Sequence, residues 1–284
     1  MTDEQNSPRK QAAPPSVILN ADDLGLTPGV NRGIFEAVQA GAVTSASLMV
    51  GAPGWDDALD RIRRDGAGLS VGLHLNLTVG RPLTAAPTLR DDAGRLLSLR
   101  TLAGRAVSGR IDPADVLAET TAQLATLAAA GVTATHLDGH RHVHLLPTVG
   151  PAVLEAARRA GVRHIRMPLE PAQEAFRTPA AALKQAALHV SAVVARVHRH
   201  RPVHFRGMSL LGARDFAGSL SGLLGRLPAG VTEIAVHPGY VTPELSELDP
   251  YTTGRERELA ALTSARILDR LREGSVQLVG FAAL

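Results

Sequence analysis

Short apolar runs alternate with longer segments of helical periodicity along most of this chain. Residues 17–20, 46–50, 69–75, 133–137, 162–167, 203–205, 231–236 and 276–279 read as strands, each rich in Val, Ile, Leu or Ala. Between them, residues 30–40, 55–64, 113–130, 151–160, 216–227 and 254–272 carry apolar positions at helical spacing. Thr27-Pro28 and Asp112-Pro113 read as helix starts, a capping side chain followed by Pro in the first turn. Gly41, Gly131 and Gly161 read as helix stops. Strand–helix alternation predicts parallel βαβ units. Seven or eight of them predict a (β/α) barrel. An open doubly wound sheet is the competing layout, and it also binds ligands at strand carboxyl ends. Residues 77–97 hold Gly, Pro and Thr without periodicity and read as a long loop. Residues 169–201 read as an insertion with one helix near 180–197. The expected organisation is a disordered start over residues 1–15 and a single domain over 16–284.

The polar residues that follow the strands change the picture. Asp22-Asp23 follow the first strand, and His74 ends the third. His136 lies at the end of the fourth, with Asp138, His140, His142 and His144 after it; Arg166 ends the fifth and His237 follows the seventh. A barrel brings the C-terminal ends of its strands to one mouth. This layout gathers carboxylates and imidazoles from five segments, the donor types of a divalent metal site. If residues 136–144 stayed extended, the four His and Asp138 would share one face. One of them would ligate, and others would orient ligands or contact substrate. Asp22 and Asp23 offer a ligand and a base. A helix cap is the ordinary alternative, but Thr27 already fills that position. Arg166 suits a carboxylate clamp or a substrate contact. His237, before Pro238-Gly239, suits general acid work near neutral pH.

Composition narrows the classes. The 284 residues, 45% hydrophobic and 20% charged, suffice for a sizeable core. The absence of Cys excludes disulfides, Cys-ligated zinc and thiol catalysis. Net charge is only +3 although the pI is near 9.9, because nearly all cations are arginines. The basic stretch over residues 196–206 lacks aromatics interleaved for base stacking, so no nucleic-acid partner is expected. No apolar run is long enough to span a membrane. The polar start has no signal-peptide core, so a cytoplasmic location is expected. No G-x-S-x-G elbow or G-x-G-x-x-G turn is present.

The ordered set ILNADDLGLTPGVNRGI, VTSASLMV, VGLHLNLTVGRPL, THLDGHRHVHLLP, IRMPLEP, EIAVHPGY and DPYTTGRERELAAL resembles the YdjC-like family. That family includes chitooligosaccharide deacetylases and a protein associated with hopanoid biosynthesis. The resemblance implies a distorted TIM-barrel-like fold of about seven parallel strands and a homodimer. It implies one divalent metal ion on Asp23, His74 and His140, with Asp22 as base and His237 as acid. Arg166, Asp138 and His142 would orient ligands or contact substrate. The ion implied is Mg2+; two His and one Asp suit Zn2+ at least as well. The activity implied is removal of an N-acetyl group from an amino sugar or short oligosaccharide. Other metal-dependent sugar chemistry (an isomerase or a phosphoesterase, with His142 or His144 on a second ion) and non-catalytic carbohydrate binding are the alternatives.

Overall fold

The computed structural model describes residues 14–171 and 203–284. The helix expected near 180–197, most of the insertion and of the N-terminal segment, and the basic stretch up to residue 201 lie outside the described residues. Eight strands form one sheet: β1 (Ser16–Leu24), β2 (Ser45–Leu48), β3 (Ser70–Leu75), β4 (His136–Gly139), β5 (His164–Ile165), β6 (Val203–Arg206), β7 (Val231–Val236) and β8 (Gln277–Leu278). The order is β5-β4-β3-β2-β1-β7-β6, and every pairing is parallel. β8 lies beside the first residues of β1, where β2 has not yet begun to pair. The sheet curls into a half-barrel with flanking helices, the α/β barrel class expected from the strand–helix alternation and the distorted form implied by the family resemblance. Among the described residues, β5 and β6 end the path.

Parallel strands covered on both faces read as continuous apolar runs. Ser16–Leu24 is accordingly buried along nearly its whole length. Flanking it are α1 (Pro28–Gln39), α2 (Trp55–Asp65), α3 (Leu99–Val107), α4 (Pro113–Ala129), α5 (Val149–Arg159), α6 (Phe216–Leu224), α7 (Pro243–Leu248), α8 (Thr253–Leu262) and α9 (Ala265–Arg272). Both expected caps form: Thr27 Oγ1 accepts from the Val30 amide, and Asp112 Oδ1 from the Ala114 amide.

Several elements differ from the sequence reading. β1 continues past residue 20, through Asp22 and Asp23, to Leu24. β4 starts at His136 and not at residue 133, because its ladder pairs Leu137 with Leu73 and Asp138 with His74. Residues 254–272 form two helices, α8 and α9, parted where Ser264 turns extended (φ −76°, ψ 145°). α3 and α7 have no counterpart in the sequence reading; each is short and capped by a single hydroxyl, Ser98 or Thr242.

The loop over residues 77–97 forms, and the buried face of α4 holds it. Glu119 accepts from the amides of Leu83 and Thr84, and Gln123 brackets the backbone of Asn76.

Candidate metal and catalytic site

A cavity of about 310 Å³ opens where β1, β3, β4 and β7 end, and Asp22, Asp23, His74, His140, His142 and His237 line it. The backbone of β1 explains how two adjacent carboxylates reach one site. In a regular strand they would point to opposite faces. Here the β1–β2 register shifts between Ala21 and Leu24, and Asp23 takes φ +67°. A bulge of this kind re-aims a side chain at the rim of a sheet.

Asp23 presents its Oδ1 to two imidazoles, His140 Nδ1 at 2.7 Å and His74 Nε2 at 3.1 Å. All three residues are buried, and their donor atoms lie within 4.8 Å of one another. His74 Nδ1 meets Asp138 Oδ1 at 2.7 Å. A carboxylate behind a ligating His fixes its ring and its tautomer. With that proton directed at Asp138, His74 Nε2 and Asp23 Oδ1 are two acceptors facing each other. Only a proton or a cation between them makes the contact favourable. Burial opposes a charge on His74, but Asp138 and Asp23 outweigh it and push its pKa up to about 10. Burial likewise opposes the Asp23 charge, yet Arg255, His140 and His74 hold it well below the usual carboxylate range. His140 Nε2 is buried without a hydrogen-bond partner among the described residues. Two imidazoles and a carboxylate, one imidazole braced from behind, form a donor set that fits a divalent ion.

Asp22 sits on the other side of this cluster. Arg166, just past β5, donates from Nη1 to Asp22 Oδ2 (2.5 Å) and from Nη2 to Asp22 Oδ1 (2.6 Å). Asn20 Nδ2 donates to the same Oδ1 at 2.8 Å. Arg166 also bonds Glu233 through Nε at 2.8 Å and lies 2.7 Å from Asp138 Oδ2. One guanidinium therefore meets three buried carboxylates. Burial pushes Glu233 up to about 7 against the pull of Arg166. Ser47 completes the network, donating to Asp138 Oδ2 at 2.8 Å and accepting from Asn20 Nδ2 at 2.9 Å.

His237 follows β7, its side chain 22% exposed, whereas Asp22, Asp23, His74 and His140 are buried. Its Nε2 lies 3.8 Å from Asp22 Oδ2, and its backbone amide donates to Glu258 Oε2 at 2.6 Å. The Tyr251 hydroxyl donates to Glu258 Oε1 at 2.6 Å, and burial raises the Glu258 pKa.

The His-rich segment does not stay extended. Arg141 and His142 take φ of 56° and 59°, and residues 140–145 form a tight turn. The turn sorts the side chains. His136 and Asp138 point inside β4, and His140 joins Asp23. His142 lines the cavity, and His144 turns back to donate from Nε2 to the Arg166 carbonyl at 3.0 Å. His144 thus braces Arg166. Burial pushes its pKa down to about 4 and that of His136 down to about 3.

Sequence reasoning missed Arg255, Glu258, Tyr251 and Glu233. Arg255 is fully buried and donates from Nη2 to Asp23 Oδ2 at 2.6 Å. Its Nη1 has no partner among the described residues. A signal existed: within the charged run 255–258, Arg255 and Glu258 stand one helical turn before Leu259 and Leu262 and so share the apolar face, whereas Glu256 and Arg257 do not. The 77–97 loop contributes no residue to the lining of this cavity; Leu99 and Tyr251 do.

The family profile of the YdjC-like proteins matches residues 16–273. The chain belongs to the YdjC-like family. A carbohydrate deacetylase of Geobacillus stearothermophilus is 34% identical over 265 residues, 93% of this chain and 96% of the relative. One of Vibrio cholerae is 33% identical over 94% of this chain and 96% of its own length. A human carbohydrate deacetylase is 33% identical over 92% of this chain and 88% of its own length. A solved structure from Enterococcus faecalis, described as a candidate cellobiose-phosphate cleavage protein, superposes with a TM-score of 0.73 at 24% identity. It covers 95% of this chain and 99% of its own, and supports the fold alone.

Proposed function

We propose that this YdjC-like protein is a metal-dependent carbohydrate deacetylase that removes an N-acetyl group from an amino sugar or short oligosaccharide. The observation that carries the reading is the placement of two proton carriers, Asp22 and His237, 3.8 Å apart beside the Asp23–His74–His140 cluster in one cavity. The relatives named carbohydrate deacetylases support the substrate class.

Asp23, His74 and His140 would hold the ion, which supplies a Lewis acid for the acyl oxygen and acidifies water. Asp22 receives the proton of the attacking water at its carboxylate. Arg166 and Asn20 keep that carboxylate in one orientation throughout. The water oxygen bonds to the acyl carbon, the C–N bond breaks, and His237 Nε2 delivers a proton to the departing amine. Acetate and a free amino sugar result. Glu258 and Tyr251 hold the His237 backbone where it reaches both Asp22 and the cavity.

The donor set favours Zn2+ or a similar ion, whereas Mg2+ prefers oxygen ligands. A two-ion phosphoesterase is disfavoured: the second candidate trio, Asp22, His74 and Asp138, already carries the Arg166 guanidinium on two of its members.

The test is acetate release from a panel of N-acetylated sugars, using metal-stripped protein and protein restored with zinc, cobalt or magnesium. The reading expects release only with metal, and a rate roughly 10²–10⁴-fold lower in Asp22→Asn with the ion retained. Full turnover by Asp22→Asn would defeat the mechanism. No release by ion-loaded protein across the panel would favour a binding role. The homodimer that the resemblance implies is checked by sedimentation.

A further inference from the structure

We propose that Arg255 is a positioning residue for the ion site, a fork that fixes Asp23 so that one carboxylate oxygen is presented beside His74 and His140. The proposal rests on the metal reading above. Asp23 divides its two oxygens. Oδ1 faces both imidazoles, and Oδ2 accepts from Arg255 Nη2 at 2.6 Å. Arg255 is itself held from two sides. Its Nη2 also donates to Asp249 Oδ2 at 2.9 Å, and its Nε donates to the Tyr251 carbonyl at 2.8 Å. The fork therefore sits in the first turn of α8 and is held by the segment leading into that helix, whereas the ligand it holds sits on β1.

Two effects of Arg255 oppose each other. Its charge, one carboxylate away from the ion position, repels a cation. Its hydrogen bond fixes a ligand that the local backbone does not fix. Asp23 sits on a bulge at φ +67° with its strand register broken, so its aim depends on what its carboxylate meets. The geometry favours fixation as the larger effect. Groups that orient metal ligands commonly change metal affinity by about 10–100-fold when removed. Lys cannot substitute, because a single ammonium lacks the planar fork that reaches Asp23, Asp249 and the Tyr251 carbonyl together.

The test titrates zinc into metal-stripped, full-length wild type, Arg255→Met and Arg255→Lys, against a chromophoric chelator, with circular dichroism as a check on folding. The zinc dissociation constant is expected to rise about 10–100-fold in both variants. Unchanged or tighter zinc binding by Arg255→Met would show that repulsion dominates and overturn the proposal, as would full rescue by Lys. Should Arg255→Met fail to fold, Arg255→Lys decides. Wild-type protein that takes up no ion would remove the metal site itself. Wild-type uptake with unchanged variants would remove only the role of Arg255.

Discussion

Asp22 and Asp23 are chemically identical neighbours that meet different partners because the backbone turns between them. Asp22 is gripped at both oxygens by Arg166, and Asp23 is split between two imidazoles and Arg255. Surrounding charge, more than residue type, decides what each titratable group does. His136 and His74 lie in the same buried network, yet burial pushes His136 down to about 3 while Asp138 and Asp23 hold His74 at about 10. A folded pKa below the unfolded value contributes stability that is present above about pH 6.5 and lost as pH falls toward the folded value. Wild type should therefore lose about 2 kcal/mol relative to His136→Phe between about pH 7.5 and about pH 5. The Phe variant keeps a ring against Phe281, whose centroid lies 4.1 Å from that of His136, and cannot titrate. Urea unfolding of both proteins across that range measures the difference. Parallel curves would mean that His136 is not held neutral.

At the level of elements, the site depends on close approach between α1 and the loop after β7. A Cβ on Gly33 would stand 2.6 Å from Gly239 Cα, so helix and loop pack backbone to backbone. Gly239 lies two residues after His237. Gly33→Ala should cost about 1–3 kcal/mol by overpacking. A shift of Gly239 away from the added methyl group should also displace His237. The expected result is a fall in acetate release larger than the loss of folded protein accounts for, with zinc affinity kept. Equal losses of activity and folded fraction would place the effect in stability alone. The element boundaries that sequence missed have local causes of the same kind. α8 and α9 share one apolar pattern, but Ser264 breaks it by turning extended. β4 begins where the ladder with β3 begins, which no pattern internal to residues 133–137 reveals.

For the whole molecule, the half-barrel encloses a network of buried charge that reaches the C-terminal ends of its strands. Asp22, Asp23, Asp138, Glu233, Arg166 and Arg255 are all buried. Removing one partner from such a network is costly, since it leaves a buried charge uncompensated. An ion bound only by the folded state adds stability by mass action, about 4 kcal/mol at a thousandfold excess over its dissociation constant. Thermal unfolding of protein stripped with a chelator should occur at lower temperature than that of protein reloaded with zinc. The gain should disappear in His140→Ala. A reloaded protein with the same midpoint as the stripped one would argue against an ion at this cluster. No helix among the described residues is long and apolar enough to cross a membrane.

The sequence by itself determined the alternation of strands and helices, the parallel α/β class and the five segments that supply the site. These follow from periodicity and from polar residues at the ends of apolar runs, and both are local. Only the tertiary structure decided how the roles divide. The turn at Arg141 and His142 sends His140 to Asp23 and His144 to the Arg166 carbonyl, although spacing alone put them on one face. Arg255 lies 232 positions from the carboxylate it holds, and Glu258 lies 21 from the His237 amide. Such pairings are set by which helix packs beside which strand. A buried charge acquires its partner, and therefore its role, only when the chain has closed around it.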